Sequence, residues 1–218
     1  MKTGKMLRTV FGPGFPGHSG TVFSDELKAF GPFERAKAFK ARMDRFFKEQ
    51  VALFAPPNTT ADFPLVIMTC VGIETLGAYK YGDLSHPKTV ARRKGTKDRH
   101  FQRVVEDIDP GFKDVAVAPD PPDRPLSDFV HEGFRNSLVH GFYGKWVFIA
   151  GDEETKTCFY DSSEKSVVLN TYWFYGQFCR VYEDYFKALL ACSDPKSEPL
   201  KTFDQTFTLY FSRRLQAA

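Results

Sequence analysis

The sequence has few of the features that identify zinc proteins, secreted proteins or membrane proteins. Its four cysteines show no C-x-x-C spacing, so nothing indicates a zinc site or a disulfide framework. The net charge of +3 is too small by itself to indicate nucleic-acid binding. The first residues lack the apolar segment of a signal peptide, and the longest apolar run, residues 63–73, is too short to span a bilayer. We therefore expect a cytoplasmic protein with no membrane association, metal or cofactor.

Aromatic residues, by contrast, are abundant, with 23 phenylalanines in a chain that is 42% hydrophobic. Apolar residues recur at helical spacing in four main segments: residues 33–54, 63–81, 101–108 and 172–191. Strand-like patterns are confined to three short runs: residues 146–149, 157–160 and 167–169. These patterns predict a mainly α fold, an up-and-down helical bundle with a small antiparallel β insertion at about residues 145–170.

The domain organisation follows from the length and from the position of the loops. A chain of 218 residues is expected to form one domain with embellishments. We place the helical domain at residues 24–191, after an N-terminal loop or arm that is rich in glycine and proline, residues 1–23. Residues 192–218 are expected to form a C-terminal extension with a short helix.

One predicted helix, residues 127–143 (SDFVHEGFRNSLVHGFY), combines an apolar face with residues suited to catalysis. Ser127 is a typical N-cap residue. Four apolar residues fall on the side expected to face a core, at about 100° per residue: Val130, Phe134, Leu138 and Phe142. Arg135 and His140 flank the opposite side, about 140° apart. A guanidinium binds phosphate through a planar fork of donors, and histidine can take and give a proton near neutral pH.

The stretch Arg135-Asn136-Ser137-Leu138-Val139-His140 resembles the R-x4-H motif of the HEPN superfamily, with a polar residue directly after the arginine. The resemblance covers roughly residues 24–191, and only the motif itself is specific. HEPN domains are helical bundles, and many are metal-independent endoribonucleases that act as dimers, often as toxins or antiviral defence effectors. The resemblance implies that the RNA's own 2′-hydroxyl attacks the neighbouring phosphate. It further implies that His140 is the general acid or base, Arg135 stabilises the phosphoryl charge, and Asn136 orients the phosphate.

Two other interpretations stay open. An Arg/His pair can bind phosphate without cutting, so the chain could be a non-catalytic HEPN-like module that binds RNA, a nucleotide or a protein partner. The motif could also be coincidental in a helical dimerisation protein. An antitoxin or other regulatory partner is a further open point, because Phe142 stands where some HEPN toxins carry the tyrosine that their antitoxin modifies.

Several charged residues are candidates to assist the motif. Glu74 interrupts an otherwise apolar helix, and a carboxylate there needs a partner. Glu74 either contacts Lys80 or the core's edge, or it orients Arg135; Glu132, three residues before Arg135, is the second orienting candidate. Residues 88–103 are the most basic stretch and could hold RNA phosphates by charge, although a solvated loop is as good an interpretation. The RNA-binding candidates in this stretch are Arg92, Arg93, Lys94, Lys97 and Arg99.

The side of the motif helix that carries Arg135 and His140 also carries Val139 and Tyr143. A purely solvated face would not need these two apolar residues. A two-fold partner would cover both of them and would bring Arg135 of one chain near His140 of the other. We therefore expect a homodimer through the motif helix, with a composite site at the seam.

Overall fold

The computed structural model describes most of the predicted helical regions and parts of the connecting segments. The described residues are 29–55, 62–82, 99–116, 124–136, 147–150, 158–161 and 166–216. The N-terminal arm, the greater part of the basic stretch and the second half of the motif helix lie outside these residues. The structure therefore locates the first half of the motif helix and its surroundings.

The described residues contain six α-helices and five short strands. The helices are α1 (Pro32–Asp44), α2 (Asp62–Tyr81), α3 (His100–Ile108), α4 (Leu126–Phe129), α5 (Thr171–Leu190) and α6 (Glu198–Gln216). Helix α1 continues as a π-helical turn (Arg45–Gln50) and a 3-10 turn (Val51–Phe54), α3 is followed by a 3-10 turn (Pro110–Lys113), and α4 continues as a π-helical turn (Val130–Asn136). The strands are β1 (Val115–Ala116), β2 (Arg124–Pro125), β3 (Val147–Ala150), β4 (Cys158–Asp161) and β5 (Ser166–Asn170). The prediction of a mainly α fold is confirmed.

Helix α2 is central to the bundle and packs against α3, α5 and α6. It is apolar on most of its sides, as expected for a helix surrounded by others. Helices α2 and α5 run in the same direction, because Thr171 contacts Asp62 near both N-termini and the Tyr185 hydroxyl donates to the Tyr79 carbonyl near both C-termini. When the four-residue α4 is set aside, α2 and α5 are the second and fourth helices of the chain. In an alternating four-helix bundle these two helices share a direction.

The core between these helices is built largely from aromatic rings. Nine aromatic side chains of the described residues are at most 2% exposed: Phe47, Phe101, Phe134, Phe174, Phe178, Tyr182, Phe186, Phe203 and Phe207. Burial of one phenylalanine side chain stabilises a fold by about 1.5–3 kcal/mol. The buried hydroxyl of Tyr182 donates to Asp44 at 2.8 Å, so its polar group is partnered. The aromatic content of the sequence thus goes mainly into packing.

The C-terminal helix is longer than the short helix that the sequence predicted. Helix α6 has 19 residues and packs on both α1 and α2. Its Phe203 and Phe207 are buried against Phe39 of α1. An ion pair of 2.7 Å between Arg35 and Asp204 ties the same two helices together. The helix that follows residue 192 is therefore part of the bundle's core.

The β insertion lies where it was predicted, but its sheet is not wholly antiparallel. The strand order is β3-β5-β4, with β4 antiparallel to β5 and β3 parallel to β5. The prediction of a purely antiparallel insertion is therefore corrected. Alternation of apolar residues reports which face of a strand is buried and carries no information on the direction of its neighbour. The central strand β5 buries Val167 and Leu169 and leads directly into α5, whose first turn is capped by the Asn170 side chain.

The motif helix begins two residues earlier than its predicted cap implied. Pro125 occupies the N-cap position, and Ser127 lies inside the first turn. Ser127 is fully buried, and its hydroxyl donates to Glu106 of α3 at 3.0 Å instead of capping a backbone N–H. The assignment of Ser127 as N-cap is therefore wrong. Val130 and Phe134 are buried as predicted, whereas Leu138 and Phe142 lie outside the described residues.

Candidate functional site

Arg135 lies against Glu74, so the contact considered from the sequence is present. The Arg135 Nε donates to Oε2 of Glu74 at 3.2 Å, and the two side chains are 29% and 32% exposed. This ion pair joins the π-helical turn of the motif helix to the central helix α2. The other sequence-based interpretation of Glu74, a contact with Lys80, is not what the structure shows, because Lys80 pairs with Asp107 at 2.8 Å.

The π-helical turn changes which side of the motif helix Arg135 faces. A π-helix closes its hydrogen bonds from i to i+5, so it turns through a smaller angle per residue than the 100° of an α-helix, which was used to place Arg135 from the sequence. Arg135 consequently points toward α2 and is half-buried, whereas the α-helical projection placed it on the side away from the core. Single π-helical turns within helices are frequent at functional sites.

The second oxygen of Glu74 is bound by a histidine that the sequence analysis did not select. His100, the first residue of α3, donates from Nε2 to Oε1 of Glu74 at 2.9 Å. Its side chain is only 7% exposed. A carboxylate only accepts, so the hydrogen of this bond belongs to His100. Glu74 therefore bridges α3 and the motif helix with one oxygen each.

Gly77 explains how α3 approaches α2 closely enough for this contact. A Cβ added at Gly77 would lie 2.6 Å from the His100 carbonyl oxygen and 2.9 Å from its ring carbon Cδ2. A real side chain does not fit at that distance, so only glycine permits this approach. Gly77 lies one helical turn after Glu74 on the same side of α2, which brings the His100 ring against the carboxylate.

The electrostatics of the cluster favour an ionised carboxylate. Burial opposes the charge on Glu74, but the hydrogen bond from His100 and the positive charges of His100 and Arg135 outweigh it and lower the pKa of Glu74 below its ordinary value. The Glu74 carboxylate is thus charged at neutral pH, and a charged acceptor holds a guanidinium more strongly than a neutral one.

A second histidine, His131, lies on the same π-helical turn as Arg135. Its ring centroid is 5.2 Å from that of Phe101 in α3. Burial, and after it the charge of Arg135, lower the pKa of His131 below its ordinary value of 6.5, although Glu74 acts in the opposite direction. A half-buried histidine that is neutral at pH 7 can accept a proton, which is the requirement for a general base.

The Cys70 thiol, which lies one helical turn before Glu74 in α2, is not a nucleophile. Cys70 of α2 is 1% exposed, and burial raises the pKa of its thiol to about 12. A thiol in this state is protonated at neutral pH and unreactive. Its role is to fill the core beneath Glu74, as expected of a buried cysteine.

The remaining predicted residues are placed as follows. Glu132 is half-exposed on the same turn as His131 and acts to raise the pKa of that histidine. Arg99 is exposed and lies 3.5 Å from Asp128 and 3.7 Å from Glu106, so it interacts with two carboxylates. The others lie outside the part of the chain whose side chains are described: Arg92, Arg93, Lys94, Lys97, Asn136, Val139, His140 and Tyr143.

The requirements of a metal site and of a membrane-spanning helix can also be compared with the described residues. No three histidine, cysteine, aspartate or glutamate side chains among them are arranged to hold a metal ion. Helix α2 is long and apolar enough to cross a membrane, but more than half of its apolar window is buried in the bundle. Such burial is typical of the core helix of a soluble protein.

Comparison with known proteins adds no family to this description. No protein-family model matches the chain, and no curated protein and no solved structure matches it significantly.

Proposed function

We propose that the chain is a metal-independent endoribonuclease of the HEPN type, with Arg135 at the scissile phosphate. The observation that supports this most is the ion pair of Arg135 with Glu74 at a π-helical turn. A guanidinium held through Nε has a fixed plane, and fixed donors are what stabilises charge that develops during a reaction. The half-buried setting strengthens each electrostatic interaction relative to water.

The proposed reaction requires no group beyond the RNA and the side chains. The 2′-hydroxyl loses its proton to a base and forms a bond to the adjacent phosphorus, while the bond from phosphorus to the 5′-oxygen breaks. A 2′,3′-cyclic phosphate and a 5′-hydroxyl result, the latter after protonation of the leaving oxygen. His140 supplies acid–base catalysis, Arg135 stabilises the phosphoryl oxygens, and Asn136 orients the phosphate. We propose that such an activity acts in the cytoplasm, as a toxin or defence effector.

A second function, phosphate binding without cleavage, is favoured by the same ion pair. Because Glu74 stays ionised, it neutralises part of the charge of Arg135. The reduced charge of Arg135 weakens its stabilisation of the transition state more than its binding of a phosphodiester, because the transition state has the greater negative charge. A non-catalytic module that binds RNA, a nucleotide or a phosphorylated partner is therefore the alternative.

The test that separates the two functions uses purified protein, total RNA and an excess of EDTA. We expect cleavage by the wild type and a loss of about 100-fold or more in Arg135→Ala, because one transition-state donor is typically worth that much. Arg42→Ala, which removes an exposed arginine of α1, is the matched control and should cleave as the wild type does. RNA that is bound but stays intact would favour the non-catalytic module, and activity that needs magnesium would contradict the HEPN mechanism.

We also propose that the active form is a homodimer through the motif helix. The arrangement is tested by mixing two inactive variants, Arg135→Ala and His140→Ala. If each site takes one residue from each chain, the heterodimer regains one intact site, and activity should return to a substantial fraction of the wild-type value. No recovery from a mixture that forms heterodimers would show that both residues act within one chain.

A further inference from the structure

Two side chains from separate helical segments, His100 and Arg135, meet at the carboxylate of Glu74, which belongs to a third helix. Glu74 comes from α2, His100 from the first position of α3, and Arg135 from the π-helical turn after α4. The two oxygens of Glu74 are used separately, Oε1 by His100 at 2.9 Å and Oε2 by Arg135 at 3.2 Å. The carboxylate plane is thereby fixed from both sides.

The histidine is the most buried member of this chain of contacts. Its side chain is 7% exposed, compared with 32% for Glu74 and 29% for Arg135. Its backbone is seated on Gly77, where the two helices approach too closely for a side chain. His100 is thus the most buried of the three residues and is also held at its backbone, so it can fix the orientation of the other two.

We propose that His100 is a positioning residue for Arg135 and acts through the carboxylate of Glu74. It holds Oε1, so that Oε2 stays directed at the guanidinium. Without this bond, the carboxylate can rotate about its side-chain torsions, and the Nε of Arg135 loses a fixed acceptor. The inference rests on the proposed function of Arg135 only for its effect on activity; the positioning itself is a structural statement.

The decisive variants differ in their ability to donate to Glu74. His100→Gln carries an amide N–H at about the reach of the Nε2 of histidine, whereas His100→Asn is one methylene shorter and His100→Leu has no donor. Tyr185→Phe is the control for general loss of stability, because it removes a buried hydrogen bond from α5 to the Tyr79 carbonyl in which none of the three cluster residues takes part. Only the histidine variants touch the cluster.

The first readout is the Nε–H signal of Arg135 in a nitrogen-15 NMR spectrum, identified by its absence in Arg135→Lys. We expect the signal to keep its position and its slow exchange in His100→Gln and Tyr185→Phe. In His100→Asn it should shift and exchange with water at least tenfold faster, and the same holds for His100→Leu if that variant folds. An unchanged signal in the folded variants that lack the donor would overturn the proposal.

The second readout is RNA cleavage, or RNA binding if the wild type does not cleave. Loss of the donor should weaken it by about tenfold or more, because hydrogen bonds to charged groups are worth that factor, and His100→Gln should restore most of it. In an Arg135→Ala background, His100→Asn should have no further effect. An additive loss would show that His100 acts by another route. If the wild type neither cleaves nor binds RNA, the proposed function fails, while the NMR signal still decides whether His100 positions Arg135.

Discussion

The close approach of α3 to α2 at Gly77 leads to a sharp prediction about stability. In Gly77→Ala, the new methyl group would lie 2.6 Å from the carbonyl oxygen of His100. This oxygen belongs to the backbone at the start of α3, so it cannot rotate away as a side chain could. Helix α3 must move outward, which also draws the His100 ring away from Glu74.

The magnitude follows from two opposing effects. Overpacking of this kind costs about 1–3 kcal/mol, and the upper part of that range applies because backbone must shift. Alanine is favoured over glycine within a helix by about 1 kcal/mol. The net result is a loss of about 1–2 kcal/mol, or a fall in Tm of about 2–8 °C for a chain of this length.

Gly176→Ala is the matched control, because Gly176 lies in α5 with nothing within 4 Å of the added methyl group. It should stabilise the protein by about 0.5–1 kcal/mol, since only the helix propensity changes. Thermal and urea unfolding, followed by circular dichroism, give both values. If Gly77→Ala is as stable as Gly176→Ala, the helices do not meet at Gly77 and the described position of His100 is wrong.

Three further predictions concern the charged groups. Because the folded protein lowers the pKa of Glu74, the ionised carboxylate stabilises the fold at pH values above its unfolded pKa, and this stabilisation is lost as the pH falls through the folded pKa. The free energy of unfolding of Glu74→Gln should therefore fall less steeply with decreasing pH than that of the wild type. An equal slope would contradict the charged cluster. The pKa of His131, measured by NMR titration, should lie below 6.5. Arg135→Leu should raise this pKa only part of the way toward 6.5, because burial, the larger cause, persists. An unchanged pKa would show that the charge of Arg135 does not act on His131. Neutralising Arg92, Arg93 and Lys94 together should weaken RNA binding and flatten its dependence on salt, whereas an unchanged salt slope would make residues 88–103 a solvated loop.

The sequence predicted the helices well, because their apolar residues recur at a period that packing requires. The break before Pro32, the helix 62–81 and the stop of α3 before Pro110 all follow from local residue types. The direction of β3 relative to β5 was not predictable in this way, since it depends on the path of the chain between them. The length of α6 was underestimated because its apolar positions are widely spaced among polar ones.

Only part of the candidate site could be derived from the sequence. Glu74 was found because a charged residue in an apolar helix needs a partner, and Arg135 was among the possible partners. His100 was missed, although it lies four residues before Val104 and therefore on the buried side of α3. The signal was there: a histidine on an apolar helix face needs a polar partner just as Glu74 does. The π-helical turn that directs Arg135 toward α2 leaves no comparable pattern in the residues.

The central claim is that the chain cleaves RNA through attack by the 2′-hydroxyl, with Arg135 at the phosphate. The most direct measurement is mass spectrometry of the ends produced from a defined RNA oligonucleotide in excess EDTA, with Arg135→Ala as the inactive comparison. We expect 2′,3′-cyclic phosphate and 5′-hydroxyl ends, and no cleavage at nucleotides that carry a 2′-O-methyl group. Products with 5′-phosphate ends, cleavage next to 2′-O-methyl nucleotides, or RNA that stays intact with the wild-type protein would contradict it.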